Sequence, residues 1–339
     1  MPIGNLSQND RPARIPPLDW VGYNVLMSKR IPPTAAPRVL FFGLPAGTSA
    51  AVLAELLATG MDLSGVVVPA IAVPHLLPEV PAPVSTLKPL QTDALPLAGD
   101  TSPADTLGIA WKAGLPVLAV GDFAHPHSLA ALRGLAADVA VVACFSHRIP
   151  AVLLSIPSYG FLNIHPSLLP DYRGPTPVFW QLRDGARTGV TVHFMDEGLD
   201  TGDIAAQAAH PLPDGIHGRE AERALMLAGV TLLRGVLADL GRGSVRRRPQ
   251  PPGGHSFSFP EPADFVLSTE WPARRAYNFM RGTAHYGLPY PVEIAGKMER
   301  LAIADHFEPA VELDRPSVRH GRSIIIRFNP GILYARMVN

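Results

Sequence analysis

Four short aliphatic runs limit what this chain can fold into: Val39-Leu40-Phe41-Phe42, Val66-Val67-Val68, Val117-Leu118-Ala119-Val120 and, after Asp138, Val139-Ala140-Val141-Val142-Ala143. Each is continuously apolar over strand length, the mark of a strand buried on both faces rather than one with a wet side. Stretches of helical character separate them, such as 49 to 58, closed by Gly60. Strands that alternate with helices predict an α/β fold, a doubly wound parallel sheet.

At 339 residues the chain is long for one core, and about two domains are expected. Hydrophobic residues make up 47% and charged residues 17%, which excludes a compositionally disordered chain. Lys plus Arg equals Asp plus Glu at 29 each, so no global field recruits nucleic acid or an anionic membrane. The one cysteine, Cys144, excludes an internal disulfide or a cysteine-based metal cage and suits a reducing compartment. The first residues lack the apolar core of a secretory signal, and no later apolar run is read as long enough to span a bilayer. Cytoplasmic residence, with no membrane partner, is the expectation.

Residues 1 to 37, rich in proline and polar residues, read as an extension, and 38 to 241 as the sheet domain. The prolines crowded into 69 to 103 argue for a long surface loop or lid, with neither regular helix nor central strand. Residues 242 to 254 combine three consecutive arginines with prolines and glycines and read as a linker. Beyond it, 255 to 339 reads as a short helix around 272 to 281 and then strand-like runs at 291 to 294, 301 to 304, 323 to 328 and 331 to 338, a small β-barrel.

Residues 161 to 180, FLNIHPSLLPDYRGPTPVFW, carry the chemistry. Asn163 and His165 are two apart in an apolar strand, so both side chains share one side. They are expected to emerge where that strand ends, at the edge of the sheet where ligands bind in open α/β folds. A loop with Pro170, Gly174 and Pro175 follows, then a helix with Thr176 as N-cap, Pro177 at its first position and Gly185 at its end. A second strand, with alternating Val190, Val192 and Phe194, leads into a tight loop that carries Asp200 and lets it face Asn163 and His165.

The pattern Asn-x-His-x-Ser-Leu-Leu-Pro-x-x-Arg-Gly at 163 to 174, with Gly-x-Thr at 189 to 191 and Asp-Thr-Gly at 200 to 202, resembles the signature of folate-dependent formyltransferases, in particular the methionyl-tRNA and sugar-amine branches. The resemblance includes Gly43-Leu44-Pro45 at the first strand end and, more weakly, Asp264 through Ile294, and it covers about residues 38 to 300. It implies a Rossmann-like catalytic domain followed by a smaller OB-like β-barrel. It also implies formyl transfer from 10-formyltetrahydrofolate to an amine, with Asn163, His165 and Asp200 as catalytic residues. An amide and an imidazole can stabilise a tetrahedral oxyanion, and a histidine beside a carboxylate can carry the proton. By resemblance, the loops at Phe145, Ser146, His147 and Ile149 and at Asp196, Glu197 and Gly198 hold the pterin, while Ser167, Arg173, Gly174 and Thr191 lie at the substrate. The first loop, Cys-Phe-Ser-His-Arg-Ile-Pro, departs from the Gly-Leu-Ile-Leu-Pro style of the family.

Methionyl-tRNA is the best-known acceptor of the family, and a sugar amine or other small amine is the alternative, because Lys88 is the only lysine or arginine between Ala50 and Gly108. Hydrolysis to formate and non-catalytic folate binding are two further alternatives. Pro45 and Thr48 stand where a dinucleotide loop needs glycine, which rejects nicotinamide or flavin binding. His125 and His127 lack a further carboxylate or cysteine at metal spacing, and no metal is expected. Arg246, Arg247 and Arg248 read as a solvated linker before a phosphate grip.

Overall fold

The computed structural model describes residues 36–77, 82–89, 105–145 and 147–338. All of the extension expected over 1 to 37 except its last two residues therefore lies outside the described residues, as do Ser146 and much of the proline-rich stretch. The described residues belong to one compact unit holding two sheets.

The first sheet is built from β1 (Val39–Gly43), β2 (Leu63–Pro69), β3 (Val84–Leu87), β4 (Val117–Val120), β5 (Val139–Ala143), β6 (Phe161–His165), β7 (Gly189–Phe194) and β8 (Ile204–Ala209). Their spatial order is β3-β4-β2-β1-β5-β6-β7-β8. The five strands from β4 to β6 are parallel, whereas β3, β7 and β8 run antiparallel to their inner neighbours. The sheet is thus mixed, with a parallel centre. The four aliphatic runs are its central strands, and β1, β2, β4 and β5 are buried along their whole length. Within the proline-rich stretch, β3 is a four-residue edge strand, the place where a sheet tolerates neighbouring prolines.

Helix α1 (Thr48–Ala58) turns Ser49, Ala50, Val52, Leu53 and Leu56 inward. Helices α2 (Thr106–Lys112), α3 (Pro126–Gly134) and α4 (Ala151–Leu154) follow the next strands, and α5 (Pro177–Asp184) joins β6 to β7. Gly185 ends α5 in the left-handed conformation; Thr176 occupies the N-cap, but its hydroxyl donates to the Ser258 carbonyl instead of capping.

Helix α6 (Gly218–Gly241) corrects one expectation: it has 24 residues and holds an 18-residue stretch with a mean hydropathy of 1.6, long and apolar enough to cross a membrane. Its apolar residues recur on one side, where Leu225, Met226, Val230, Leu233, Val236 and Leu237 are buried, and it packs on β6, β7 and β8 as a core helix does. At Gly229 a Cβ would overlap Ile164 Cγ2, so this glycine sets how closely the helix approaches the sheet.

The second sheet is antiparallel, from β9 (Tyr290–Ile294), β10 (Lys297–Glu308), β11 (Ser317–His320), β12 (Ser323–Arg327) and β13 (Ile332–Met337), in the order β11-β12-β13-β10-β9. Ala295 and Gly296, both at positive φ, make the two-residue hairpin between β9 and β10. Among the described residues the outer strands β9 and β11 are not paired to each other. Helix α7 (Ala273–Thr283) covers this sheet, and one apolar cluster joins it to α5: Phe179, Trp180, Phe265, Phe279 and Tyr290 are all buried there.

Candidate active site

Strand β6 divides its side chains between two environments. Leu162 and Ile164 point at α6, while Asn163 and His165 point away from it. Antiparallel pairing then places His193 opposite Asn163 and Thr191 opposite His165. One face of a two-strand ribbon thus carries an amide, two imidazoles and a hydroxyl.

Two loops close over that face from opposite ends. The loop after β7 starts beside the beginning of β6, where Met195 N–H donates to the Phe161 carbonyl at 2.8 Å, and it brings in Asp200. The loop after β6 brings Tyr172, Arg173 and Gly174 from the other end. Asn163, His165 and Asp200 therefore meet over the face of β6 and β7, with His165 at the last position of β6. Both loops need unusual backbone, with Tyr172 at φ 59°, Gly174 at φ 112° and Asp200 at φ 53°. Such conformations cost roughly 1 kcal/mol or more at a non-glycine residue and persist where surrounding contacts hold them.

Asp200 is the hub. Its Oδ1 accepts from Asn163 Nδ2 at 3.3 Å and lies 3.5 Å from His193 Nε2. Its Oδ2 accepts from Gly174 N–H at 2.8 Å and lies 3.7 Å from His165 Nδ1. The Nε2 of His165 donates to the Tyr172 carbonyl at 2.8 Å, which leaves Nδ1 of the neutral ring as a bare lone pair facing the carboxylate. Likewise, His193 Nδ1 donates to the Phe194 carbonyl at 2.9 Å, and its Nε2 receives Asn163 Nδ2 at 3.2 Å.

Burial pushes the His165 imidazole below its ordinary range, against the pull of Asp200 and of the Tyr172 carbonyl. Burial works against the charge of Asp200 too, but His165, His193 and the Gly174 N–H outweigh it and hold this carboxyl well below the usual carboxylate range. At neutral pH the site is a carboxylate facing an uncharged imidazole. Their attraction acts in full only when His165 takes a proton.

The other expected site residues fall into two groups. Ser167 and Thr191 are fully buried, with the Ser167 hydroxyl donating to the Asp171 carbonyl and that of Thr191 to the Ser167 carbonyl. Both hydroxyls are thus bonded to the backbone of the loop after β6 and have no exposed surface. Gly174 touches Asp200 through its N–H, and Arg173 is bound to Gln250. In the first loop expected to hold the pterin, the Phe145 ring stands edge-on to Phe42 and Phe123, each at 5.6 Å, with His147 beside it at 5.9 Å, and Ile149 is in the core. In the second, Asp196 Oδ1 accepts from Gly198 N–H and from Thr201 Oγ1, and the exposed Glu197 gives its carbonyl to Arg148 Nη2 at 2.6 Å. That bond ties the two loops together.

Sequence reasoning missed two participants. His193 was legible as the one titratable residue on the inward alternation of β7, opposite Asn163. Gln250 had no such signal, since it sits in the segment read as a linker. That segment runs as a strap over the loop after β6. Arg247 stacks over the Phe194 ring at 3.7 Å, and Arg248 exchanges backbone hydrogen bonds with Ile204. His255 and Phe257 bond the backbone of Arg173, and the Phe257 ring stacks on Tyr172 and Trp180 at 5.4 and 4.7 Å. A Cβ at Gly174 would overlap the Phe257 carbonyl oxygen, so only glycine fits under the strap.

A mixed α/β sheet whose polar ribbon gathers an asparagine, a histidine and an aspartate under two loops defines a class, and the comparisons with known proteins agree with it. The family model described as formyl transferase matches residues 122–224. The methionyl-tRNA formyltransferase of Synechococcus sp. (strain JA-3-3Ab) is 37% identical over 182 residues, which are 53% of this chain and 56% of that protein. That of Symbiobacterium thermophilum is 31% identical over 218 residues, 63% of this chain and 67% of that protein. The chain belongs to the formyltransferase family. It matches little more than half the length of the Synechococcus relative. The N-formyltransferase from Helicobacter canadensis, solved with folinic acid and dTDP-3-aminofucose, shares the fold, with a TM-score of 0.57 over 89% of this chain and 99% of that one at 12% identity.

Proposed function

We propose that this protein transfers the formyl group of 10-formyltetrahydrofolate to an amine, and that Asn163, His165 and Asp200 carry the reaction. The observation behind this reading is Asp200, which touches both other groups while two loops close over it. The amine nitrogen attacks the formyl carbon, and the carbonyl oxygen becomes negative. Asn163 Nδ2 is the donor suited to that oxygen: its two bonds, at 3.2 and 3.3 Å, are at the weak end of the range, and a charged acceptor displaces them readily. His165 has no spare N–H for this task, as its Nε2 hydrogen is committed to Tyr172. Its bare Nδ1 beside Asp200 suits the other task, which is to take the proton that the attacking amine releases. The new imidazolium is held by the carboxylate. The proton then goes to the folate nitrogen as its bond to the formyl carbon breaks, giving formylated amine and tetrahydrofolate.

The pterin is assigned to the backbone of the loops at residues 145 to 149 and 196 to 198, whose side chains serve mainly the loops themselves. Ser146 belongs to that assignment but lies outside the described residues. The names of the relatives favour methionyl-tRNA as acceptor, the initiator form among the candidates, and the single cysteine favours the cytoplasmic setting read from the sequence. A sugar amine is the second reading, favoured by the near absence of lysine and arginine in residues 50 to 108 and by the aminofucose in the Helicobacter structure.

The deciding experiment incubates the protein with 10-formyltetrahydrofolate and either charged methionyl-tRNA or amino sugars, with products identified by mass spectrometry. A formylated amine that disappears with Asn163→Ala is the expected result. Formate without any formylated amine would replace transfer by hydrolysis, and inertness toward every amine together with wild-type behaviour of Asn163→Ala would reject the mechanism.

A further inference from the structure

Gln250 lies 50 residues beyond Asp200 and 77 beyond Arg173, yet its side chain joins them. Its Nε2 donates to the Asp200 carbonyl at 2.7 Å and to the Gly202 carbonyl at 2.8 Å, so both amide hydrogens are used. Its Oε1 accepts from Arg173 Nη2 at 2.6 Å and from Nε at 3.1 Å, a two-pronged hold by a charged donor. The two loops joined in this way are the ones that aim the catalytic pair. Tyr172, next to Arg173, accepts from His165 Nε2; Gly174, on its other side, donates to Asp200 Oδ2. Asp200 itself sits at a positive φ that needs outside support, and the bond to its carbonyl supplies it.

We propose that Gln250 is a positioning residue that sets the separation between Asp200 and His165, so that the strap ahead of the C-terminal sheet is part of the catalytic apparatus. The kinetic side of this proposal rests on the formyl-transfer reading; the geometric side does not. Two hydrogen bonds at each end of a planar amide, those from Arg173 charge-assisted, fix it in distance and in plane, and a displacement of about 1 Å at such a site can cost on the order of 100-fold in rate. The roles of the two ends also separate. A glutamate at this position keeps the acceptor for Arg173 but sets an oxygen against the carbonyls of Asp200 and Gly202. A methionine keeps the volume and loses every bond.

The test uses the full chain with Gln250→Met, Gln250→Glu and, as a control on the same strap, Arg246→Ala, an exposed residue apart from these bonds. The first readout needs no activity: the pH titration of the His165 imidazole by NMR. Asp200, His193 and the Tyr172 carbonyl are the groups that face this ring. When Asp200 is let go in Gln250→Met, its support for the imidazolium weakens, and the midpoint is expected to fall by roughly half a unit. Arg246→Ala is expected to leave it in place. The second readout is kinetic: kcat is expected to fall roughly 10- to 100-fold in both Gln250 variants while KM for the folate stays within about threefold. A midpoint that does not move in Gln250→Met overturns the proposal, as does a kcat within twofold of wild type in Gln250→Glu. Should wild type itself form no formylated amine, the functional reading falls, and the titration alone decides the role of Gln250. If Gln250→Met does not fold, the same titration and thermal melt are made on Gln250→Glu, where an unmoved midpoint likewise overturns it.

Discussion

The two faces of the β6–β7 ribbon are made from alternate residues of the same two strands, yet they do opposite work. One face presents Leu162, Ile164, Val190 and Val192 to α6, is fully apolar and is closed by Gly229. The other presents Asn163, His165, Thr191 and His193, all polar, under two loops with left-handed residues. A strand's period of two lets one segment stabilise the fold and carry the site without a compromise at any single residue. Stability and chemistry should therefore be separable by changing neighbours one residue apart.

The largest effect is expected on the polar face. Replacing Asn163 by Ala is expected to lower kcat by about 100- to 1,000-fold, as loss of an oxyanion donor does, with little change in melting temperature. A comparable loss of stability there would break the division of labour. Next comes Ile164→Ala, one residue along, which empties a fully packed site against α6 and is expected to cost about 2–4 kcal/mol in denaturant unfolding. Its folded fraction should keep most of its turnover. Gly229→Ala sharpens the same contrast from the helix side, since the added methyl collides with Ile164 Cγ2; about 1–3 kcal/mol is expected, again with chemistry retained.

Acid gives the smallest effect and separates the faces by charge. Because burial lowers the proton affinity of His165, the unfolded chain takes that proton first, and stability is lost as pH falls below the ordinary histidine value of about 6.5. Asp200 is shifted down as well, so its contribution is present above the ordinary carboxylate range and lost only in stronger acid, as pH falls below about 4. Melting temperatures between pH 7 and 5 should thus fall less in His165→Gln than in wild type. The apolar face has no such dependence, and Ile164→Ala should follow the wild-type pH profile in parallel. The kcat/KM of wild type should fall on the acid side as His165 gains its proton in the free enzyme.

Much of the fold was legible because it follows from local pattern. Continuous aliphatic runs mark central strands, and Ala295-Gly296 marks a hairpin between short apolar runs. The edge strand Val84–Leu87 was hidden by proline-rich surroundings, and Ser317–His320, half exposed, had no apolar pattern to show. The spanning-length helix was overlooked because Arg234 and Asp239 interrupt its composition, although both fall outside its buried set. For the site, the shared side of Asn163 and His165 is a consequence of alternation, and their partner Asp200 followed from the motif.

The sequence by itself determined what depends on neighbours along the chain: strand periodicity, the identity of the polar pair on β6, and the turns that free the backbone at Gly174 and beside Asp200. Only the tertiary structure decided what depends on distance across it. The antiparallel register of β6 and β7 put His193 beside Asn163, and the strap brought Gln250 to Arg173 and Asp200. Hydrogen bonds reach about 3 Å whatever the separation in sequence, so a residue with an ordinary local context acquires its role when the chain returns to the site.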